Sequence, residues 1–323
     1  MKGRRIVLLA GLFVAALFLA LNAVAYAHAY AMLHFADCGE RTGSIESLSC
    51  AQRVRVLLTG ITVPRPRNTA TPSDLGLAFE THRISTPDGT LEAWRIPRAE
   101  PRGTVVMFHG YSAAKASLLP EARAFHDLGY DVFLVDLRGN GGSFGDSTSI
   151  GFLEADDVAR SASYVRRRLA AGGPLILYGQ SMGGVAVLRS VQAKGVRPTA
   201  VIVEAVFDTM LGTIGNRFHS MGLPAFPFAH LLLFWGGCQL GFSGFENNPV
   251  DWAPRVACPV LMLHGSDDPR ARVAQGEAVF RRLASSRKTF ERFEGLRHES
   301  CCAGAPDHWR RVVDRFLSEC AAP

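Results

Sequence analysis

A chain of 323 residues, 48% hydrophobic and 20% charged, is long enough to bury a sizeable core within one large domain. Its net charge of +6 includes short arginine runs such as Arg166-Arg167-Arg168 and Arg281-Arg282, which read as solvated helix faces. No aromatic residues interleave with them, which argues against a nucleic-acid surface.

At the N-terminus, Lys2, Arg4 and Arg5 precede Ile6 to Ala25, where the only polar side chain is Asn22. Twenty helical residues rise about 30 Å, the thickness of a bilayer's hydrocarbon core. A cleaved secretory signal has an apolar core of only ~7–15 residues, so the run predicts an uncleaved signal-anchor over 1–27. Cleavage remains the competing reading, at Ala25-Tyr26-Ala27 or Ala27-His28-Ala29. Either way the basic residues stay cytoplasmic and the rest of the chain lies on the extracytoplasmic side, as a single-pass membrane protein. All seven cysteines follow, and in an oxidising compartment Cys38–Cys50, or Cys320 with Cys301 or Cys302, are candidate bridges.

Residues 28–75 read as a connector whose Pro- and Thr-rich end, Pro64 to Pro72, forms an exposed arm. From Gly76 a regular rhythm begins. Leu77–Thr86 and Leu91–Pro97 flank Pro87-Asp88-Gly89 as a hairpin. Thr104–Phe108, Val132–Val135, Leu175–Tyr178, Ala200–Val203, Pro259–Leu263 and Thr289–Phe293 are further strands. Helices are predicted near Leu118–Leu128, over 155–169, after Ser181, over Ala271–Leu283 and over Trp309–Leu317. Apolar strands alternating with helices predict a mostly parallel central sheet covered on both faces, in one domain over 76–318. Residues 208–254 break the rhythm with Gly, Pro and large apolar residues, and an insertion of that length reads as a lid.

Within this frame Leu175 to Tyr178 runs into Gly179-Gln180-Ser181-Met182-Gly183, a strand, a sharp turn and a helix with a serine at the apex. Such a turn leaves no room for Cβ atoms at 179 and 183, and it puts the N–H of Met182 at a helix start. A serine hydroxyl needs a base, and the base needs an orienting carboxylate. Asp268, after one strand, and His298, after the last, supply them in the order Ser, Asp, His. Asp267, Glu204 and Asp208 are rival acids, and His308 a rival base. His109 and His264, beside glycines at strand ends, read as loop organisers, and Asp136-Leu137-Arg138-Gly139 as a structural brace. The cluster of His298, Cys301, Cys302 and His308 does not have zinc-motif spacing, so neither a metal nor any other cofactor is expected.

Five blocks carry a family resemblance: Phe108-His109-Gly110-Tyr111, Asp136 to Ser143, the Ser181 turn, His264 to Asp268, and the segment ending at His298. In these the chain resembles the α/β-hydrolase superfamily, near its serine-aminopeptidase-like and lysophospholipase-like members and the membrane-anchored α/β-hydrolase-domain proteins. The resemblance implies an α/β-hydrolase fold, with Ser181 as nucleophile, His298 as general base then acid, Asp268 as orienting carboxylate, and an oxyanion hole from the backbone N–H groups of Tyr111 and Met182. Arg297 departs from the small residues that the family usually has before this histidine. The expected function is a membrane-anchored serine hydrolase that cleaves an ester or related acyl bond of a lipid-like small molecule. An aminopeptidase or amidase with the same triad, and a non-catalytic tethered interaction protein, are the alternatives.

Overall fold

The structure, a computed structural model, describes residues 2–43, 48–169 and 173–321; Met1 of the anchor, 44–47 of the connector, 170–172 and 322–323 lie outside the described residues. Eight strands form one sheet: β1 (Glu80–Thr86), β2 (Gly89–Ile96), β3 (Thr104–Phe108), β4 (Asp131–Val135), β5 (Leu175–Gln180), β6 (Ala200–Glu204), β7 (Val260–Gly265) and β8 (Lys288–Phe293). Their order is β1-β2-β4-β3-β5-β6-β7-β8. The β1–β2 hairpin closes at Thr86↔Gly89, and β2 meets β4 antiparallel. All other pairings are parallel. Every residue of β3, β4, β6 and β7 is buried, which explains why these strands read as continuous apolar runs.

The described helices are α1 (Lys2–Leu33), α2 (Cys50–Thr59), α3 (Leu119–Asp127), α4 (Glu154–Arg168), α5 (Met182–Ala193), α6 (Met210–Ser220), α7 (Phe228–Leu240), α8 (Pro249–Trp252), α9 (Val273–Arg282), α10 (Cys301–Gly304) and α11 (Pro306–Ala321). Val158 and Ala162 of α4, Val185 and Val191 of α5 and Val279 of α9 cover one face of the sheet, against Val106, Leu177 and Val203. Phe125 of α3 and Trp309 and Val313 of α11 cover the other, against Val105, Tyr178 and Leu263. This is the helix–sheet–helix sandwich that the alternating pattern predicts.

Three expectations change. The first helix continues past residue 27 to Leu33, and its lower half packs on the domain. Trp235 Nε1 of α7 donates to Asn22 Oδ1 at 3.1 Å, and Gln239 Nε2 donates to the Tyr26 carbonyl at 3.0 Å. Beyond the helix, Phe35 N donates to Asp146 O at 2.6 Å, and Thr148 N donates to Leu33 O at 2.9 Å. Hydropathy alone does not distinguish a lipid neighbour from a protein one, so the apolar run carried no sign of this docking.

The stretch 64–72 is not an exposed arm. Arg65 N donates to Ala36 O at 2.9 Å, Asn68 Nδ2 donates to Asp136 Oδ2 at 2.8 Å, and Pro72 is buried. A proline-rich segment has few N–H groups to satisfy, so a handful of such bonds is enough to seat it on the core. The candidate bridges are not formed in this structure, where all seven cysteines are free thiols. Cys301 and Cys302 are instead buried against α11 and the sheet.

Candidate active site

Ser181 stands between β5 and α5 with φ 50° and ψ −112°, a conformation that L residues rarely adopt. Such a backbone costs about 1–3 kcal/mol and persists only where its surroundings enforce it. Here Ser181 N donates to Glu204 O at 2.7 Å, which ties the turn to the end of β6. A Cβ at Gly183 would lie 2.2 Å from Phe108 O, and one at Gly179 would lie 2.5 Å from Gly183 C and O. Both glycines are therefore demanded by close approach of backbone, as the motif predicts.

The ends of β5, β7 and β8 bring together three side chains that are far apart in sequence. Ser181 Oγ lies 3.1 Å from His298 Nε2, and His298 Nδ1 lies 2.6 Å from Asp268 Oδ2. With Nδ1–H donating to the carboxylate, Nε2 is free to accept the serine proton. Asp268 Oδ1 accepts from the N–H groups of Arg270 at 2.8 Å and Ala271 at 3.0 Å. Burial by itself would raise the Asp268 carboxyl, but the hydrogen bond and charge of His298, with those two N–H groups, outweigh it and hold the acid below its usual range.

Two backbone segments approach Ser181. Met182 opens α5, so its N–H has no acceptor inside the helix. The chain leaving β3 passes on the other side, where a Cβ at Gly110 would stand 3.6 Å from Ser181 Cβ, and Tyr111 comes next. The Tyr111 hydroxyl donates to Met32 O at 2.6 Å, which links this loop to the base of α1.

The rival groups are engaged elsewhere. Asp267 is exposed and accepts from Ser266 Oγ. Asp208 accepts from Gln275 Nε2 at 2.5 Å, and His308 pairs with Glu291 at 2.8 Å. His109 accepts from Leu137 N at 3.1 Å and its other ring nitrogen faces Gly110 O, while burial lowers its pKa. His264 faces Ala271 O at 2.6 Å and is likewise pushed down by burial. Both are neutral loop organisers, as the sequence suggests.

Behind His298 lies a pair of buried acids, Glu204 and Glu121. Glu204 is fully buried and accepts from Cys301 N at 2.8 Å, Gln180 Nε2 at 3.1 Å and the Tyr178 hydroxyl at 2.9 Å. Glu121 of α3 accepts the hydroxyl of Ser300. Burial, then the charge of Glu204, pushes the Glu121 carboxyl up to about 7. The two acids thus hold the loop that carries His298. Glu204 ends an otherwise apolar strand, which is a visible signal, whereas Glu121 resembles any acid in a helix's first turn.

Comparison with known proteins identifies the family. The family model for serine aminopeptidase, S33, matches residues 99–208. Caffeoylshikimate esterase of Arabidopsis thaliana is 32% identical over 282 residues, covering 73% of this chain and 83% of that protein. Protein bem46 of Schizosaccharomyces pombe is 25% identical over 257 residues, covering 78% and 81%. The structure of the Pyrococcus furiosus esterase Pf2001 superposes with a TM-score of 0.68 at 21% identity, over 79% of this chain and 96% of that one. With the sheet order, the serine turn and these relatives in agreement, the chain belongs to the α/β-hydrolase superfamily and has esterases among its neighbours.

Proposed function

We propose that this protein is a membrane-anchored serine hydrolase that cleaves carboxylic esters with apolar acyl groups through an acyl-enzyme on Ser181. The observation that carries the reading is the unbroken chain of contacts from Ser181 Oγ through His298 to Asp268, at 3.1 and 2.6 Å. The Ser181 oxygen attacks the ester carbonyl carbon while His298 Nε2 takes its proton. Negative charge on the former carbonyl oxygen is met by the N–H groups of Tyr111 and Met182, each donor being worth ~10²–10³ in rate. His298 then passes the proton to the departing alcohol, which leaves the acyl group on Ser181. Water, deprotonated by the same imidazole, releases the acid and restores the serine. Asp268 stays ionised throughout and stabilises the imidazolium.

The insertion 208–254 is the lid of this site. Its α7 is mostly apolar, with His230 and Gln239 as its exceptions, which suits a hydrocarbon substrate better than a peptide. Relatives named as esterases favour the same side, although a peptide or amide substrate is the second reading because the matching family model is named for an aminopeptidase. Helix α1 is long and apolar enough to cross a bilayer. The basic residues Lys2, Arg4 and Arg5 at its start support an extracytoplasmic catalytic domain.

Ser181→Ala is expected to abolish fluorophosphonate labelling and to lower p-nitrophenyl ester turnover by at least ~10⁴. Persistent labelling of that variant would mean that another residue is the nucleophile. Anilides of the same acyl groups, assayed alongside, separate ester from amide cleavage.

A further inference from the structure

Beside α7 lies an apolar groove of about 450 Å³, walled by Phe234, Gly237, Cys238, Phe242, Gly244 and Phe245. That volume falls in the range of small-molecule sites. Three of those residues, Gly237, Phe242 and Gly244, also wall a smaller inner cavity of about 60 Å³. The inner cavity reaches Ala29, Met32, Ile150, Ile214 and Leu232. Its Ile150 wall adjoins Thr148, whose hydroxyl sits 3.2 Å from Met182 Sδ, one residue from the nucleophile. Its Met32 wall accepts the Tyr111 hydroxyl. The groove and the inner cavity thus share walls on α7, and the inner cavity's Met32 wall is bonded to the loop that carries Tyr111.

The mouth of the groove is placed by α1. The run Ile6 to Leu19 is fully exposed, while Asn22 and Tyr26 are bonded to Trp235 and Gln239 of α7. The rise from Ile6 to Asn22 is about 24 Å, so α7 meets α1 close to the edge of a hydrocarbon core ~30 Å thick. The edge-to-face pair of Tyr26 and Trp235, with centroids 5.5 Å apart, is of the kind that favours this boundary. Phe234 and Phe245, at the mouth of the groove, are 48% and 42% exposed, and Phe226 nearby in the chain is 72% exposed.

We infer that the groove and inner cavity bind one long acyl chain of a bilayer lipid, drawn sideways from the membrane that α1 crosses, with α1 itself forming part of the wall. This rests on the ester-hydrolase reading for the fate of the lipid, but occupancy of the path is independent of turnover. In full-length protein reconstituted into phosphatidylcholine vesicles, a phosphatidylcholine with a diazirine at its acyl terminus is expected to cross-link to the stretch 232–245 and to residues 29–33. Ser181→Ala should label equally, whereas Phe234→Asp should lower labelling of that stretch at least fivefold. Cross-links confined to residues 6–19 would overturn the proposal.

A second arm reads selectivity. Ile214→Trp narrows the inner cavity and is expected to lower the ratio of kcat/KM for the palmitate over the acetate p-nitrophenyl ester at least tenfold. An unchanged ratio, whether both rates hold or both fall, also counts against the path. If the wild type hydrolyses neither ester yet cross-links as described, the catalytic assignment fails and the lipid path stands.

Discussion

At the scale of single residues, the site depends on groups whose protonation is set by what they touch. In the proposed mechanism Asp268, 2.6 Å from His298 Nδ1, fixes the imidazole with Nδ1–H pointing away from the serine. Asp268→Asn can offer an amide N–H to that nitrogen, which favours the wrong tautomer, and kcat is expected to fall by ~10⁴ with little change in stability. Steady-state kinetics and thermal melts on the same preparation check both halves. Glu121 makes a different prediction, one of pH. Its carboxyl ionises near 4.5 when unfolded and at about 7 in the fold, so between those values the unfolded chain sheds a proton that the fold retains. Stability therefore falls as pH rises from about 4.5 to 7 and is flat above, a loss of roughly 3 kcal/mol from this group. Glu121→Gln should leave stability nearly unchanged at pH 4.5 and raise it at pH 8. Urea midpoints at the two pH values decide it, and an equal effect at both would sink the assignment.

At the scale of elements, the loop after β4 is fastened to the loop after β3 by a buried ion pair. Lys115 and Asp136 have fully buried side chains in contact, and Lys115 Nζ reaches Glu92 Oε1 of β2 at 2.9 Å. Asp136 also accepts from Lys115 N and from the Asn68 amide, so one carboxylate joins three segments. Lys115→Met would strand that carboxylate and is expected to cost about 3–5 kcal/mol, seen as a lower urea midpoint at unchanged m-value. Asp136 was legible as a brace from its place in the Asp-Leu-Arg-Gly block, but its lysine partner was not. Lys115 lies in a polar-looking turn, and only the tertiary fold buries it. The insertion was opaque for a related reason. Helix α7 has apolar neighbours on α1 as well as on the domain, so its sequence lacks the periodicity of a one-sided helix.

At the scale of the whole molecule, α1 is both a candidate membrane helix and a structural part of the domain. Full-length protein is expected to stay in the membrane pellet after a carbonate wash, with a mass that shows no cleavage near Ala27. Deleting residues 2–19 should release a folded protein that still hydrolyses short-chain esters. Deleting residues 2–36 removes the buried Ala29 and Phe35 and the bonds to Asp146 and Thr148, and should yield aggregates. A stable, active product of the longer deletion would show that the lower half of α1 is dispensable.

Much of this was determined by the sequence itself. Apolar strands alternating with amphipathic helices admit few arrangements other than a covered parallel sheet, and the glycines around Ser181 mark a turn that tolerates no side chain. Strand ends offered Ser181, Asp268 and His298 as a candidate set with Asp267, Glu204, Asp208 and His308 as rivals, because loops at one edge of a parallel sheet lie near one another, and the resemblance to the α/β-hydrolases chose among them. What the tertiary structure decided was every contact between segments that carry no mutual signal: α1 with α7, Glu121 with Ser300, Lys115 with Asp136, and the seating of residues 64–72. Local pattern records which face of an element is buried, whereas the identity of the partner that buries it depends on the packing of the whole chain.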